Sequence, residues 1–329
     1  MAEETLVSLR PLLAGGLICE STCNRSDTNR FLTAHRLRTQ IPDEFNAVQS
    51  KEGEVKRKVS FFDWTLLKNY MAVLTIISVF FTLCSFFISI PSDRKMAWFI
   101  VLLGLFMAIY VYMWFRANLL EHVTLKINNS TVDVKVGDVF EQEGLKVIAF
   151  NEYFDTLVDD AIISATSLNG MYINSKVQDI TELDRLIAHD DHLRDNILEE
   201  VQHRAKGKHN RYRLGTIFTH NDFLLTAFSK FDPNNRAFLY MNDYINFLMN
   251  FWNEVDIVYN GRSISIPLLG SGITRFKEYD AITEQELLEL LIWSFKISRI
   301  KFTYPSKVSI IIHESKKDKI NFYKLKTLV

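Results

Sequence analysis

The sequence predicts a two-helix membrane hairpin followed by a domain of mixed α-helices and β-strands. Two uncharged apolar runs, 70–90 and 96–115, are separated by five residues. At the helical rise, each run reaches about 30 Å, the thickness of the hydrocarbon core of a bilayer. A buried helical hairpin is the alternative, but such helices usually keep a polar stripe or charged ends. The chain therefore divides into a poorly ordered tail (1–58), a transmembrane hairpin (59–118) and a domain (119–329).

Basic residues flank the apolar runs more than they occupy the short loop between them. The flanking residues are Lys56, Arg57, Lys58 and Lys68 before the first run and Arg116 and Lys126 after the second, whereas the loop holds Arg94 and Lys95. Because Lys and Arg near the ends of spans stay on the cytoplasmic side, both termini are predicted to be cytoplasmic. The chain is predicted to be a multi-pass protein of the plasma membrane.

Small and hydroxyl residues form a candidate membrane seam on one side of the apolar runs. The members in the first run are Thr75, Ser78, Thr82, Ser85 and Ser89. Their spacings of three and four place them on one helical face, and Gly104 and Ala108 provide a small-xxx-small step in the second run. Two interpretations remain open. The seam either packs the two spans against each other, or lies between subunits or along a water-lined pore.

Composition argues against several classes of protein. The net charge is −1, so no basic field indicates nucleic-acid binding. Cys19 and Cys23 are spaced like half of a metal site, but no second pair follows nearby. The cluster of His189, His192 and His203 is more typical of a solvated polar face. No Ser-His-Asp order or pair of carboxylates at a glycine loop indicates a catalytic site, so we predict no metal, no cofactor and no catalytic residues.

After the apolar runs, the hydrophobic pattern alternates between strands and helices. A hairpin is predicted over 122–136, because two alternating segments flank Asn128-Asn129-Ser130. Further strands are predicted at 146–150, 216–218, 223–228, 263–269 and 307–313. Helices are predicted from Thr181 to about Val201, from about Asn235 to Val255, and from a capping box at Thr283. Strands interleaved with helices predict an α/β sandwich.

A glycine loop follows the strand at 263–269. The loop residues are Gly270, Ser271, Gly272, Ile273, Thr274 and Arg275. Ligands of α/β sheets bind beyond the carboxyl ends of strands, and glycines there let backbone N–H groups approach a phosphate. The loop is therefore a candidate phosphate cradle. A simple turn is the alternative, since the lysine of a P-loop is absent.

Five segments together resemble a divergent macro domain. They are the hairpin ending in Gly137-Asp138-Val139, the strand ending in Ala149-Phe150-Asn151, the loop Ser167-Leu168-Asn169-Gly170, the segment 266–273 and the closing strand. With the two apolar runs in front, the chain resembles the membrane-anchored macro-domain effector of the bacterial Thoeris antiphage system. The resemblance implies a macro-domain-like three-layer α/β sandwich with a mixed sheet, behind a hairpin in the bacterial inner membrane.

The resemblance also assigns ligand-binding roles. Asp138 and Val139 stand where macro domains hold adenine, and Asn151 matches the asparagine that faces the distal ribose. Gly170 stands at the first glycine-rich loop, which here lacks the usual run of glycines. The loop 270–275 matches the second phosphate loop, to which Arg275 would add charge pairing.

The implied function is a non-enzymatic effector. It would bind an ADP-ribose-derived signalling nucleotide, made from NAD by a companion TIR-domain protein, and respond by disrupting the bilayer and stopping growth. A homo-oligomer is expected. The alternatives are a membrane-anchored hydrolase that processes ADP-ribose, and a membrane scaffold with an empty pocket.

Overall fold

The computed structural model describes residues 58–87, 91–204, 206–279, 281–303 and 305–327. The predicted tail, apart from Lys58, lies outside the described residues, and so does Ser89 of the candidate seam.

Two long apolar helices form the first part of the described chain. Helix α1 spans Trp64–Ser85 and helix α2 spans Lys95–Asn118, with a short 3-10 turn at Ser92–Arg94 between them. Helix α1 begins earlier than the apolar run because Asp63 accepts a hydrogen bond from Leu66 N at 3.0 Å and caps it. The apolar stretch of the first helix has a mean hydropathy of 1.7 and that of the second helix 2.2, and only 6% of each stretch is buried. Both helices are long and apolar enough to cross a membrane, and they lack the burial of core helices.

The described seam residues of this apolar hairpin are exposed. Half-buried side chains on its two helices include Val73, Ile77, Leu102 and Ile109. Thr75, Ser78, Thr82 and Ser85 are exposed, as are Gly104 and Ala108. A Cβ at Gly104 would meet no atom within 4 Å. This exposure favours the interpretation that the seam lies between subunits or along a water-lined pore, and both interpretations stay predictions.

Nine of the described strands form one mixed sheet. The strands are β1 His122–Ile127, β2 Ser130–Val136, β3 Leu145–Asn151, β6 Ile217–His220, β7 Phe223–Phe231, β8 Ala237–Tyr240, β9 Ile264–Pro267, β10 Arg275–Lys277 and β11 Val308–Ile312; β4 Ile197–Glu200 and β5 Asn210–Tyr212 make a separate pair. The order is β1-β2-β11-β9-β3-β7-β8-β10, with β6 beside β7. Strands β2, β11, β9, β3 and β7 run parallel to one another, so their carboxyl ends meet at one edge of the sheet.

Helices cover both faces of the sheet. The remaining helices are α3 Leu168–Lys176, α4 Ile180–His189, α5 Asp191–Asp195, α6 Met241–Val258, α7 Glu284–Ile297 and α8 Phe322–Leu325. Alternate residues of β3 face opposite sides: Val147 joins the core beneath α6, α7 and α8, whereas Ile148 joins the core beneath α3, α4 and α5. This arrangement is a three-layer α/β sandwich with a mixed sheet, as predicted.

Two predicted helices have different bounds in the structure. Helix α4 is capped by Asp179, two residues before Thr181, and ends at His189 because Asp190 adopts an extended conformation and caps α5. Residues 197–200, predicted to be helical, form β4. The helix predicted from Asn235 begins at Met241, because a turn with Asn235 at φ 57° directs the chain back along β7 as β8.

Other local predictions are confirmed. Asn128 and Asn129 close the β1–β2 hairpin with φ values of 51° and 65°. Thr283 caps α7 through a reciprocal capping box with Glu286.

Candidate functional site

A cavity of about 530 Å³ opens at the carboxyl edge of the parallel strands. Its wall contains residues from five segments, 149–151, 162–171, 228–237, 267–274 and 311–316. Each segment includes the end of a parallel strand or a loop near one, which is where α/β sheets bind ligands. The volume is in the range of pockets that hold drug-sized or nucleotide-sized molecules.

The glycine loop after β9 is shaped by a tight turn. Gly270 has φ +90°, and a Cβ there would lie 3.0 Å from the ring of Phe276. Ser271 N donates to Leu268 O at 3.3 Å, and the Ser271 hydroxyl donates to the same carbonyl at 2.7 Å. Glycine at position 270 is therefore needed for the fold of the loop itself.

The next part of this loop carries backbone N–H groups that have no described acceptor. Gly272, Ile273 and Thr274 line the cavity, and no described protein group accepts a hydrogen bond from their backbone N–H groups. A Cβ at Gly272 would meet no atom within 4 Å, so the approach to this backbone is open. Consecutive unpaired N–H groups at a loop form a concave site for an anion.

Asn151 lines the cavity but most of its hydrogen-bonding capacity is used by its own loop. Its Oδ1 accepts from Tyr153 N at 2.9 Å and from Asp155 N at 3.3 Å, and its Nδ2 donates to Asp155 Oδ2 at 3.0 Å. One Nδ2 hydrogen has no described protein acceptor, so a single donor is left for a ligand. The contact with a ribose stays a prediction.

Asp155 and Arg204 form a buried ion pair behind this loop. The Arg204 guanidinium donates to Asp155 at 2.6 and 3.0 Å, and the two side chains are 8% and 1% exposed. Arg204 also lies 3.9 Å from the ring centroid of Tyr153. Lys208 N donates to Asp155 at 2.7 Å. The loop after β3 is thereby fixed to the β4–β5 connection, and the buried Arg204 guanidinium is committed to this pair.

Gly170 has a packing role in the structure. Its N–H donates to the Ser167 hydroxyl at 3.0 Å, and a Cβ would lie 2.2 Å from Ser164 O. It is not part of the cavity wall, and its amide is occupied by the cap of α3. The neighbouring Asn169 does line the cavity, is 7% exposed, and carries an Oδ1 with no described partner. Asn169 is thus a candidate contact that the sequence alone did not indicate.

The closing strand contributes polar residues that the sequence analysis also missed. His313, Ser315 and Lys316 follow β11 and line the cavity. Lys316 is the single lysine or arginine in the described wall, and its Nζ lies 3.0 Å from Glu284 Oε1. A signal for these residues was present, since they directly follow the end of a predicted parallel strand.

Three further residues assigned by resemblance lie outside the cavity wall. Asp138 is exposed and accepts from Phe140 N at 2.8 Å, which caps a 3-10 turn. Val139 is 4% exposed and packs in the interior of the protein. Arg275 is exposed on the short edge strand β10. Their contacts with a ligand stay predictions.

No cluster of His, Cys, Asp or Glu among the described residues is arranged to hold a metal ion. His192 instead lies 2.6 Å from Glu254, which also accepts from Ile217 N at 3.2 Å.

The three-layer sandwich, its mixed sheet and the cavity at the strand ends define a macro-domain-like protein preceded by two apolar helices. The family model described as Thoeris protein ThsA, Macro domain, matches residues 132–313. Thoeris protein ThsA of Bacillus amyloliquefaciens (strain Y2) is 42% identical over 279 residues, which cover 83% of this chain and 91% of that protein. The chain belongs to the Thoeris ThsA family. This membership is consistent with antiphage defence, with an ADP-ribose-derived ligand and with a TIR-domain protein as functional partner.

Solved macrodomain structures show more distant similarity. The Oceanobacillus iheyensis macrodomain with ADP is 13% identical, with a TM-score of 0.41, over 63% of this chain and 96% of that chain. The same macrodomain with MES bound is 16% identical, with a TM-score of 0.33, over 63% of this chain and 95% of that chain.

Proposed function

We propose that this protein is a membrane-anchored effector of antiphage defence. Its cavity binds an ADP-ribose-derived signalling nucleotide that a TIR-domain partner makes from NAD, and the apolar hairpin responds by disrupting the inner membrane. The ligand acts as a signal and is released unchanged, so the protein is not an enzyme. The row of free amides at Gly272, Ile273 and Thr274 carries this proposal.

The groups that line the cavity suit a nucleotide that carries a diphosphate. Unpaired backbone donors favour a phosphate, and Lys316 adds a positive charge to the same cavity. Apolar side chains such as Phe228 and Leu268 offer a surface for a base or a ribose. Asn169 and the unpaired Nδ2 hydrogen of Asn151 supply polar contacts that would fix the orientation of the nucleotide.

The membrane part of the proposal is supported by exposure. Large apolar side chains cover the outside of the hairpin, including Phe80 (63% exposed), Ile100 (62%) and Met107 (69%). A surface of this kind is costly in water and favourable in lipid. The outward seam then gives each subunit a polar face through which it can assemble with another copy.

The ligand can trigger membrane action only if it binds one state of the protein, with single or with assembled domains, more tightly than the other. A ligand shifts an equilibrium only by its difference in affinity for the two states. If the ligand favours assembled domains, assembly raises the local concentration of the hairpins. Bilayer disruption then follows from contacts between hairpins.

The binding step is tested by calorimetry of the full-length protein in detergent with ADP-ribose as the probe. We expect the wild type to bind and Gly272→Glu to lose binding, because a carboxylate would enter the amide row and repel a phosphate. Since Gly272 faces open space, the variant should remain folded.

Two controls isolate the effect of charge in the cavity. Gly272→Gln adds similar bulk without charge and should retain more affinity than Gly272→Glu. Arg299→Gln removes a charge from an exposed side chain outside the wall and should bind like the wild type. Chromatography of the ligand after incubation separates binding from turnover. Undiminished affinity of folded Gly272→Glu would remove this loop from the site, and accumulation of a cleaved product would support the hydrolase alternative.

A further inference from the structure

One continuous segment connects the cavity wall to the base of the apolar hairpin. Residues 313–325, here called the C-terminal segment, begin with His313 in the wall and end with helix α8. Its middle part is a 3-10 helix over Glu314–Lys319. The segment thus contacts both the candidate ligand site and the helices proposed to act on the membrane.

At its far end, the C-terminal segment holds the start of α1. The Tyr323 hydroxyl accepts a hydrogen bond from Asn69 Nδ2 at 2.6 Å. Asp318 lies 3.5 Å from the Lys58 ammonium, whose side chain is only 8% exposed. The same ammonium lies 6.0 Å from the ring centroid of Phe322.

Apolar packing strengthens this attachment. Val59, Leu66, Tyr110 and Ala117 form a small buried cluster at the base of the hairpin, and Tyr323 packs against it. Because both helices contribute to the cluster, a displacement of Tyr323 reaches α1 and α2 together.

At its near end, the C-terminal segment is held by α7. Glu284 Oε1 accepts from Lys316 Nζ at 3.0 Å and from Lys319 Nζ at 2.6 Å. The Gln285 side chain accepts from Asn321 N at 2.8 Å. Glu284 therefore pairs with two lysines, of which only Lys316 is part of the described cavity wall.

We infer that the C-terminal segment transmits ligand binding from the cavity to the hairpin, and that Lys316 is the residue that senses the ligand. A phosphate in the cavity competes with Glu284 for Lys316, while Lys319 continues to neutralise Glu284. The shift of Lys316 changes the position of the segment and, through Tyr323 and Asp318, the base of the hairpin. This inference rests on the proposed function, since it requires an anionic ligand in the cavity.

The first test compares hydrogen exchange of the full-length protein in lipid nanodiscs with and without saturating ADP-ribose. We expect ADP-ribose to change exchange in residues 313–325 and also in 58–70. Lys316→Gln should weaken binding and, at a concentration that restores saturation, should lose the change in 58–70. Lys126→Gln removes the same charge from the distant strand β1 and should behave like the wild type.

The second test uses charge reversal at the hairpin. Lys58→Glu and Asp318→Lys should each lose the ligand-dependent change in 58–70 while keeping the affinity for ADP-ribose. The double variant Lys58→Glu/Asp318→Lys restores opposite charges and should regain the change. The retained affinity of the single variants for ADP-ribose shows that they did not fail merely by unfolding.

The outcomes separate the two proposals. Calorimetry on the same samples that detects no binding of ADP-ribose to the wild type overturns the proposed function. Saturating binding without a change in residues 58–70 overturns only the transmission. The same holds if Lys316→Gln at saturation, or the single reversals, respond like the wild type.

Discussion

At the scale of single residues, Glu152 shows how burial changes the chemistry of a side chain beside the candidate site. It follows Asn151 directly, is 4% exposed, and its Oε1 accepts from Phe231 N at 3.1 Å. Burial raises the pKa of the Glu152 carboxyl above its ordinary value of 4.5. The folded state therefore binds a proton more tightly than the unfolded state does.

This shift predicts a pH dependence of stability. The stabilising contribution of Glu152 is fully present below pH 4.5 and is lost as the pH rises through the raised pKa. Each unit by which the pKa is raised corresponds to about 1.4 kcal/mol. Glu152→Gln keeps an oxygen for Phe231 N but cannot ionise. We therefore expect the variant to gain stability relative to the wild type as pH increases over this range.

The measurement is chemical unfolding of the full-length protein in detergent between pH 4 and 8, with intrinsic fluorescence as the signal. A difference between variant and wild type that stays constant across that range would contradict the assigned cause.

At the scale of elements, the buried pair of Asp155 and Arg204 joins two loops that are distant in sequence. Removing one partner of such a pair leaves an uncompensated buried charge, which costs about 3–5 kcal/mol. We expect Arg204→Met to lower the free energy of unfolding by this amount. Arg185→Met removes a guanidinium from an exposed pair with Glu182 and should remain close to the wild type.

Urea unfolding of both variants in the same detergent tests this prediction. Equal stability of Arg204→Met and Arg185→Met would show that the loop after β3 does not depend on the ion pair.

The helices and strands differ in how far the sequence alone could predict them. Alternating hydrophobicity and the Asn128-Asn129 turn defined the first hairpin, and the capping box at Thr283 defined α7, because these signals are local. The end of α4 was missed because Asp190 adopts an extended conformation there and its side chain accepts from Leu193 N at 2.7 Å, which begins α5 as a separate helix. The contact between Asp155 and Arg204 depends on tertiary structure, and nothing local to either loop specifies it.

The site was predictable to a similar degree. The glycine loop was found because glycines after a parallel strand have a local signature, and residues 270–274 do line the cavity. Asn169 was missed because an isolated asparagine has no spacing pattern, whereas Lys316 could have been found from its place after the last predicted strand. Gly170 was assigned to a phosphate contact because its close approach to Ser164 can be seen only after the chain has folded.

At the scale of the whole molecule, the outward seam gives a test of membrane action. The hydroxyls of Thr75, Thr82 and Ser85 donate to carbonyls of their own helix at 2.9, 2.8 and 2.7 Å. Each of these hydroxyls therefore has a hydrogen-bond acceptor within a single subunit, before assembly. We expect the triple variant Ser78→Leu/Thr82→Leu/Ser85→Leu to abolish ligand-dependent leakage of liposomes without changing ADP-ribose affinity. Leucine prevents close approach of two helix backbones and removes the polar face.

A matched control changes exposed apolar positions of the same helix. Ile76→Leu/Phe80→Leu/Phe81→Leu keeps the surface apolar and should retain leakage. Full leakage by the seam variant, at equal insertion, would show that the hairpin acts through another face.

Topology is a second property of the whole molecule. The bias of Lys and Arg toward the flanks of the hairpin predicts that both termini are cytoplasmic. A cytoplasmically active reporter fused after Val329 should therefore be active, and a periplasmic one silent. Labelling of the C-terminus from outside intact cells would contradict this orientation.

The distribution of the cavity wall over five separate segments has an evolutionary consequence. Each segment is attached to the sheet at a strand end, so mutation can alter one without disturbing the pairing of the strands beneath it. The parts that hold the loops, such as Gly270 against Phe276 and Asp155 against Arg204, tolerate less change. Relatives of this chain can thus diverge in the nucleotide they recognise, one loop at a time, while inheriting the same scaffold.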